Sequence, residues 1–446
     1  MSIDIKIKKG LDIPMTGEAA YAVETWPRPK LFAVKPSDFV GVNPRLDVEP
    51  GAKVKVGDVL FHSKYQPEVK FTSPVSGTVK AVERGKRRVI LRVVIEADKE
   101  DEYKEFKPSD ASRESIIEAL LESGLFPFFE QRPYNIVPSP DDVPKAIYIR
   151  AYDNNPLPVD YAFALENRKE DLQKGIRILN KLTGGRVYMI VDGESQTFLN
   201  TMKDVEHIRV SGPYPSSNPS VAIAHTNPVS QGDRLWVIDA WDVAGIGSFF
   251  ETGRINPEKI VAFTGNMLES PKYYRIRRGA NIKEHIGQLL KKKEGIRIIS
   301  GNPLTGTNIT DEGFLGAFDN SVSVLEEGDK ARFFGWLPFI GTSRKTVYRL
   351  NFDWFSNRKK DYDTSLHGEE RPFVMTEEIE EVMPLDIYPV HLLKACLTGD
   401  VDKMEQLGIL EVAPEDFALV DYISSSKINA QNIIRNGLNI MMVEIG

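Results

Sequence analysis

The chain runs to 446 residues with 41% hydrophobic and 27% charged side chains, the proportions of an ordinary globular protein with length for about two to four domains. Lys and Arg number 57 against 64 Asp and Glu, a net charge of −7 that argues against a protein whose main partner is nucleic acid. A single cysteine, Cys396, excludes within this chain a disulfide framework, a Cys-ligated iron–sulfur cluster and a Cys-rich zinc site.

The start, Met1-Ser2-Ile3-Asp4-Ile5-Lys6, alternates charged and apolar residues and has no apolar core of a signal peptide. Nowhere do about 18 apolar residues run together, so no membrane-spanning helix is expected. The longest charge-free stretch, Ser211 to Gly232, carries Pro213, Pro215, Pro219 and Pro228 and reads as an irregular loop. Charge is unevenly spread. Residues 1–100 hold 18 basic and 13 acidic side chains, and most of the excess lies in Arg84-Gly85-Lys86-Arg87-Arg88. Such a cluster suits an acidic partner or anionic lipid headgroups, or is simply a solvated hairpin turn.

Residues 1–100 are expected to form a barrel-sandwich domain. From Leu31 to Glu96 short Val-rich alternations are punctuated by turns such as Glu49-Pro50-Gly51 and Val56-Gly57-Asp58, and Ser73-Pro74-Val75-Ser76-Gly77-Thr78-Val79 returns the second arm. The pattern resembles the biotinyl/lipoyl fold. Lys64 and Lys70 lie in the hairpin where that fold carries its cofactor, but neither sits in a Met-Lys-Met or Asp-Lys-Ala turn, so no covalent cofactor is expected.

Residues 101–258 alternate helices with apolar strands. Helices are predicted at Ser112–Ser123, Glu166–Leu182, Thr197–Met202 and Asp242–Thr252; strands at Lys145–Arg150, Arg186–Val191, Val205–Val210 and Leu235–Asp239. This implies a largely parallel, Rossmann-like sheet covered on both faces. In residues 259–330, strands at Ile260–Met267 and Lys272–Arg277, a helix at Ile282–Lys292 and a strand at Arg297–Ser300 resemble a β-grasp unit. Residues 331–446 begin with an aromatic linker, Phe333-Phe334-Gly335-Trp336-Leu337-Pro338-Phe339, read as a domain junction or partner interface. Helices follow at Val390–Leu397, Phe417–Ile423 and Asn432–Met441. The fold class is thus α/β multidomain: barrel sandwich, Rossmann-like domain, β-grasp domain and C-terminal helical region.

Catalytic templates fail one by one. Gly245-Ile246-Gly247 follows a strand, but Phe250 occupies the third glycine position of a dinucleotide loop, and close helix packing is the preferred role. Gly193-Glu194-Ser195-Gln196-Thr197 lacks the last glycine of a nucleophile elbow. His62, His207, His225, His285, His367 and His391 are scattered without metal-ligand spacing, so no metal site is expected. Asp141-Asp142 and Glu377-Glu378 read as solvated loop and helix ends, and Asn302-Pro303-Leu304-Thr305-Gly306-Thr307 as a turn, with a phosphate cradle as the alternative. Catalytic and cofactor-binding residues are therefore left unassigned.

Several strings taken in order resemble the family of A subunits of the bacterial sodium-translocating NADH:quinone oxidoreductase. They are Ile5-Lys6-Ile7-Lys8-Lys9-Gly10-Leu11-Asp12-Ile13-Pro14, Ser73 to Val79, Arg84 to Arg88, Ile299 to Thr307, Phe334-Gly335-Trp336-Leu337, and Val382-Met383-Pro384-Leu385-Asp386-Ile387-Tyr388-Pro389. The resemblance implies a peripheral subunit on the cytoplasmic face of the inner membrane, docked on membrane-spanning subunits. It also implies that NADH oxidation and the 2Fe–2S centre reside in another subunit, and that this one is associated with the ubiquinone-reducing end. Relatives of the Rnf type and of respiratory complex I keep a Gly-rich flavin loop or Cys-x-x-Cys ligands, and this chain has neither. It is expected to carry no redox centre, to take ubiquinone as its possible ligand, and to dock through its basic first domain and Phe333–Phe339. Three readings stay open beside this one: a biotinyl-type carrier, an independent flavin or NADH dehydrogenase, and a scaffold that never meets quinone.

Overall fold

A computed structural model describes residues 2–328, 358–366, 368–374 and 376–445. Four sheets and a helical region account for them. The aromatic run Phe333–Phe339 and His367 lie outside the described residues.

The barrel sandwich is built as the alternation predicts. A four-stranded sheet orders Leu31–Val34, Ile90–Ala97, Gly77–Arg84 and Lys53–Val54, and a three-stranded sheet orders Pro44–Leu46, Val59–Ser63 and Lys70–Thr72. Phe32, Leu60, Phe61, Phe71, Val79, Val93 and Ile95 are buried among them, and Phe61 stacks on Phe71 at 4.6 Å. Rings of this size contribute most of the burial energy of a small sandwich, about 1.5–3 kcal/mol each.

The second sheet has the order Ile3–Lys6, Glu206–Ser211, Arg186–Asp192, Ala146–Arg150, Leu235–Asp239, Glu130–Arg132; the first five strands are parallel and the last is antiparallel. After Ala146–Arg150 the chain steps outward twice, then crosses back to lay Leu235–Asp239 on the other side of that strand. The strand order reverses between these two neighbours, which creates a crevice at their C-terminal ends. Helix Arg113–Ser123 is closed by reciprocal bonds between Ser112 and Ser115, with Gly124 in the left-handed conformation (φ 73) at its end. Helices Lys169–Asn180 and Ala240–Thr252 approach backbone to backbone: a Cβ on Gly247 would fall on the Asp171 carbonyl oxygen, and one on Gly175 on that of Val243. The Gly245-Ile246-Gly247 string is a packing device.

The third sheet is mixed: Thr307–Asn308, Ile296–Ser300, Ser321–Glu326, Glu258–Thr264, Lys272–Arg277 and Ala20–Thr25. Behind the second sheet lie helices Glu378–Val382, Pro389–Thr398, Val401–Gln406, Ala418–Ile423 and Ala430–Ile445, with Leu392, Leu393, Cys396, Met404, Ile434 and Leu438 in their core.

Several expectations are corrected. Two strands within residues 1–100 leave the sandwich. Ile3–Lys6 pairs Ile3 with Ile208 at the edge of the second sheet, burying Ile5, and Ala20–Thr25 pairs with Lys272–Arg277 of the third. The Pro-rich stretch Ser211–Gly232 contains helix Pro219–Thr226, because Pro219 occupies the first helical turn, where its missing N–H costs nothing. The helix expected at Ile282–Lys292 is a single turn, Lys283–Ile286, since Leu290 turns away to bridge Leu268. Glu378 is buried, not solvated.

Gly247→Ala is expected to cost about 1–3 kcal/mol, because the added methyl meets backbone that cannot yield. Gly245→Ala in the same helix, where nothing beyond the helix itself lies within 4 Å of the new methyl, is expected to stabilise by up to about 1 kcal/mol. Thermal or urea unfolding of the two variants checks the contrast.

Candidate functional site at the domain junction

Three folded units converge on one set of aromatic rings. Phe39, from the turn after Pro36–Asp38 of the sandwich, lies 4.6 Å from Phe71, 5.8 Å from Phe128 of the second unit and 5.4 Å from Phe318 of the third. Beside them opens a cleft whose empty space, mouth included, is about 820 Å³, with Trp241 on its far wall. Its apolar lining suits a planar organic group.

Charged residues face the cleft from each unit. Asp38 accepts a hydrogen bond from the Ala317 amide at 2.9 Å, and its other oxygen lies 3.6 Å from the Lys35 ammonium. Burial pushes its carboxyl up to about 6 against the opposing pull of Lys35. Asp242 stands in the first turn of helix Ala240–Thr252, which Asp239 caps by accepting from the Trp241 amide at 2.8 Å. Asp242 is 5% exposed and pairs with Arg278, yet its Oδ2 has no hydrogen-bond partner, and burial raises its pKa. Arg278 donates to the Ala317 carbonyl at 2.8 Å and lies 4.1 Å from the centre of the Phe128 ring. Behind the cleft, Lys259 is fully buried, donates to the carbonyls of Phe318 and Asp319 at 3.3 and 3.0 Å, and is pushed down to about 8, chiefly by burial. The cleft thus combines an apolar slot with two buried carboxyls and a cation fixed over a ring.

The crevice at the reversal point of the second sheet has a different character. Arg150 and Asp239 end its two strands, and Glu415 from the helical region lies 3.2 Å from Arg150 and 2.9 Å from Arg132. Asp239 accepts from Tyr161 and from Asn320 of the third unit, the latter at 2.8 Å. Asp153, Asp239, Asp319 and Glu415 line the space, a surface that repels phosphate.

The motifs singled out in the sequence are not brought together. In the turn from Asn302, the Asn302 side chain accepts from the amides of Leu304 and Thr305, so these donors serve the turn itself. His62 lies 2.7 Å from Asp47, His207 2.9 Å from the Leu199 carbonyl and His225 2.8 Å from that of Val221. Lys64 and Lys70 flank the hairpin Val59–Ser63 to Lys70–Thr72. Among the described residues no group of three or more His, Cys, Asp or Glu could hold a metal ion, and no helix is long and apolar enough to cross a membrane. Sequence reasoning missed Asp38, Asp242 and Arg278. The one local signal was Trp241-Asp242 standing just before Gly245, a residue that lines the cleft.

Family models match three successive stretches: the NqrA N-terminal barrel-sandwich hybrid domain over residues 5–98, the NqrA second alpha/beta domain over 111–255, and the NQRA C-terminal domain over 260–311. The A subunit of the Na(+)-translocating NADH-quinone reductase of Saccharophagus degradans is 36% identical over 97% of this chain and 98% of its own length. Its namesake in Hahella chejuensis is 35% identical over the same shares. A solved NAD+-reducing [NiFe]-hydrogenase in the air-oxidized state aligns over 49% of this chain and 48% of its own at 15% identity and a TM-score of 0.38, too slight a likeness to carry an argument. With full-length relatives at this identity and three domain models in register, the chain belongs to the family of Na(+)-translocating NADH-quinone reductase A subunits.

Proposed function

We propose that this chain is a peripheral subunit on the cytoplasmic face of a sodium-translocating NADH:ubiquinone oxidoreductase, docked on the membrane-spanning subunits, where it supports ubiquinone reduction and assembly without a redox centre of its own. The observation that carries the reading is the junction cleft. Reducing a quinone to a quinol takes two electrons and two protons. The electrons come from a donor in another subunit; this chain's part is to hold the ring and keep protons close. Phe39, Phe71, Phe128 and Trp241 offer flat apolar walls, and Asp38 and Asp242 are carboxyls that burial biases toward the protonated form. Arg278, held between Asp242 and Phe128, is a fixed positive charge at the place where a reduced ring would carry negative charge.

A photoreactive ubiquinone applied to the assembled complex is expected to label peptides of this chain that contain Phe39, Phe128 or Trp241. Labelling confined to other subunits, or a bound chromophore on the isolated chain that NADH reduces, overturns the reading. Phe128→Ala removes one wall and the ring beneath Arg278. It is expected to lower ubiquinone-dependent turnover of the complex several-fold, an effect of about 1 kcal/mol, while NADH oxidation by a water-soluble acceptor is unchanged.

Asp38 gives a pH test. Its folded pKa of about 6 lies above the ordinary 3.8, so the folded chain binds a proton there that the unfolded chain has released. Its contribution to stability is therefore greatest at acid pH and declines as pH rises from about 4 through 6. Infrared titration should show protonated-carboxyl absorption at pH ~5 that loses one component in Asp38→Asn.

A further inference from the structure

The hairpin joining strands Gly77–Arg84 and Ile90–Ala97 ends in a tip that the rest of the chain leaves unneutralised. Arg84, Lys86, Arg87 and Arg88 are all exposed, and none pairs with a carboxylate among the described residues; Arg84 donates only to the Arg88 carbonyl at 3.0 Å. One strand pair inward the pattern inverts. Arg92 is paired with both Glu83 and Glu312, so this cation, unlike those at the tip, is neutralised within the chain. Two of the tip cations, Arg87 and Arg88, stand at φ 56 and 61, a left-handed conformation that glycine or asparagine would adopt at less cost. The turn thus accepts a conformational penalty and keeps its charges. Beside them Val89 and Leu91, 58% and 45% exposed, point to the same side of the strand while Ile90 between them is buried.

We propose that this tip docks on the headgroup region of an anionic phospholipid bilayer, with Arg84, Lys86, Arg87 and Arg88 on lipid phosphates and Val89 and Leu91 at the acyl boundary. A lipid surface fits better than a protein one because the tip is a protruding turn, and four solvated cations beside two aliphatic side chains match an interface that is anionic outside and apolar beneath. The inference deepens the peripheral placement proposed above and rests on it for its setting, but its binding measurement uses the isolated chain and vesicles alone.

The experiment is co-sedimentation of the isolated full chain with vesicles of phosphatidylcholine alone or mixed with phosphatidylglycerol. Binding is expected only to the phosphatidylglycerol vesicles and is expected to weaken as salt is raised. Replacing Arg84, Lys86, Arg87 and Arg88 together by Ala should lower the affinity about 10-fold or more with the melting temperature unchanged, and the pair Val89→Ser and Leu91→Ser should lower it by a smaller factor. Equal binding to both vesicle types, no binding to either, or a quadruple variant that binds as well as the parent overturns the proposal. So does a quadruple variant that keeps vesicle binding and loses only its place on the complex, since that assigns the tip to a protein surface. Absence of vesicle binding by the parent chain, with the photoreactive quinone label retained, would sink the lipid contact alone.

Discussion

The pair between Asp242 and Arg278 is the tie on which the arrangement of the first three units depends. Asp242 starts a helix of the second unit, Arg278 follows the strand Lys272–Arg277 of the third, and Arg278 holds the Ala317 carbonyl while its guanidinium covers Phe128. The Ala317 amide in turn donates to Asp38 of the sandwich. A chain of contacts therefore runs from sandwich to third unit to second through one guanidinium and the backbone of Ala317. Taking such a pair out of water is costly, and a hydrophobic pair of equal volume would often be as stable; what the charges supply is a single geometry, because each has only one place to find its partner. Around it the rings Phe39, Phe71, Phe128 and Phe318 provide the non-directional part of the burial energy. The cleft is the space left where rings and ion pair cannot both close the junction.

A second set of ties binds the remaining parts. Glu415 draws the helical region onto Arg132 and Arg150 of the second sheet, and Asn320 of the third unit reaches Asp239 beside them. The first residues of the chain thread between units: Ile3–Lys6 extends the second sheet and Ala20–Thr25 the third. Gly10 and Gly17 make the passage possible, since both have positive φ and a Cβ on either would run into backbone, of Tyr214 and of Gly265. The units are therefore interlaced along the chain as well as packed side by side, and the geometry of the cleft is fixed from several directions.

Legibility from the sequence followed the range of the interactions. Helices and strands governed by local periodicity, such as Arg113–Ser123 with its Ser112 cap or Ala146–Arg150, are readable almost to the residue. Ser211–Gly232 misleads because proline breaks most helices from within, whereas Pro219 stands where a helix tolerates it. Strands Ile3–Lys6 and Ala20–Thr25 could not be placed, because their partners, Glu206–Ser211 and Lys272–Arg277, lie about two hundred or more residues away and no local rule names a partner at that distance. The site shares that difficulty. Asp38, Asp242 and Arg278 come from three units, and each alone is an ordinary charged residue in a turn, a helix or a loop. Burial makes them notable, and burial is decided only when the units meet. Family membership, by contrast, was legible, because it rests on strings of residues read in order.

The junction cleft and the reversal-point crevice divide along electrostatic lines, and the division bears on the proposed role. In an open sheet of the second unit's topology, the reversal point between Ala146–Arg150 and Leu235–Asp239 is where a phosphate-bearing cofactor would ordinarily lie. Here Glu415, from the far end of the chain, pairs with the arginine that ends one strand, Asp239 caps a helix from the end of the other, and Asp153 folds the loop after Arg150 by accepting from the amides of Asn155 and Val159. Part of the donor set that a phosphate would need is engaged by internal carboxylates, and the lining charge has the wrong sign for it. The junction cleft has the opposite design: aromatic walls, a carboxyl oxygen of Asp242 left without a partner, and a cation fixed over a ring. An apolar, redox-active ring that gains protons as it gains electrons is, on the proposed reading, the class of molecule that profits from those features together. On the proposed reading, the parallel sheet serves as a rigid support that sets Trp241 and Asp242 at one wall of the cleft, and the chemistry has its place where the sheet meets its neighbours.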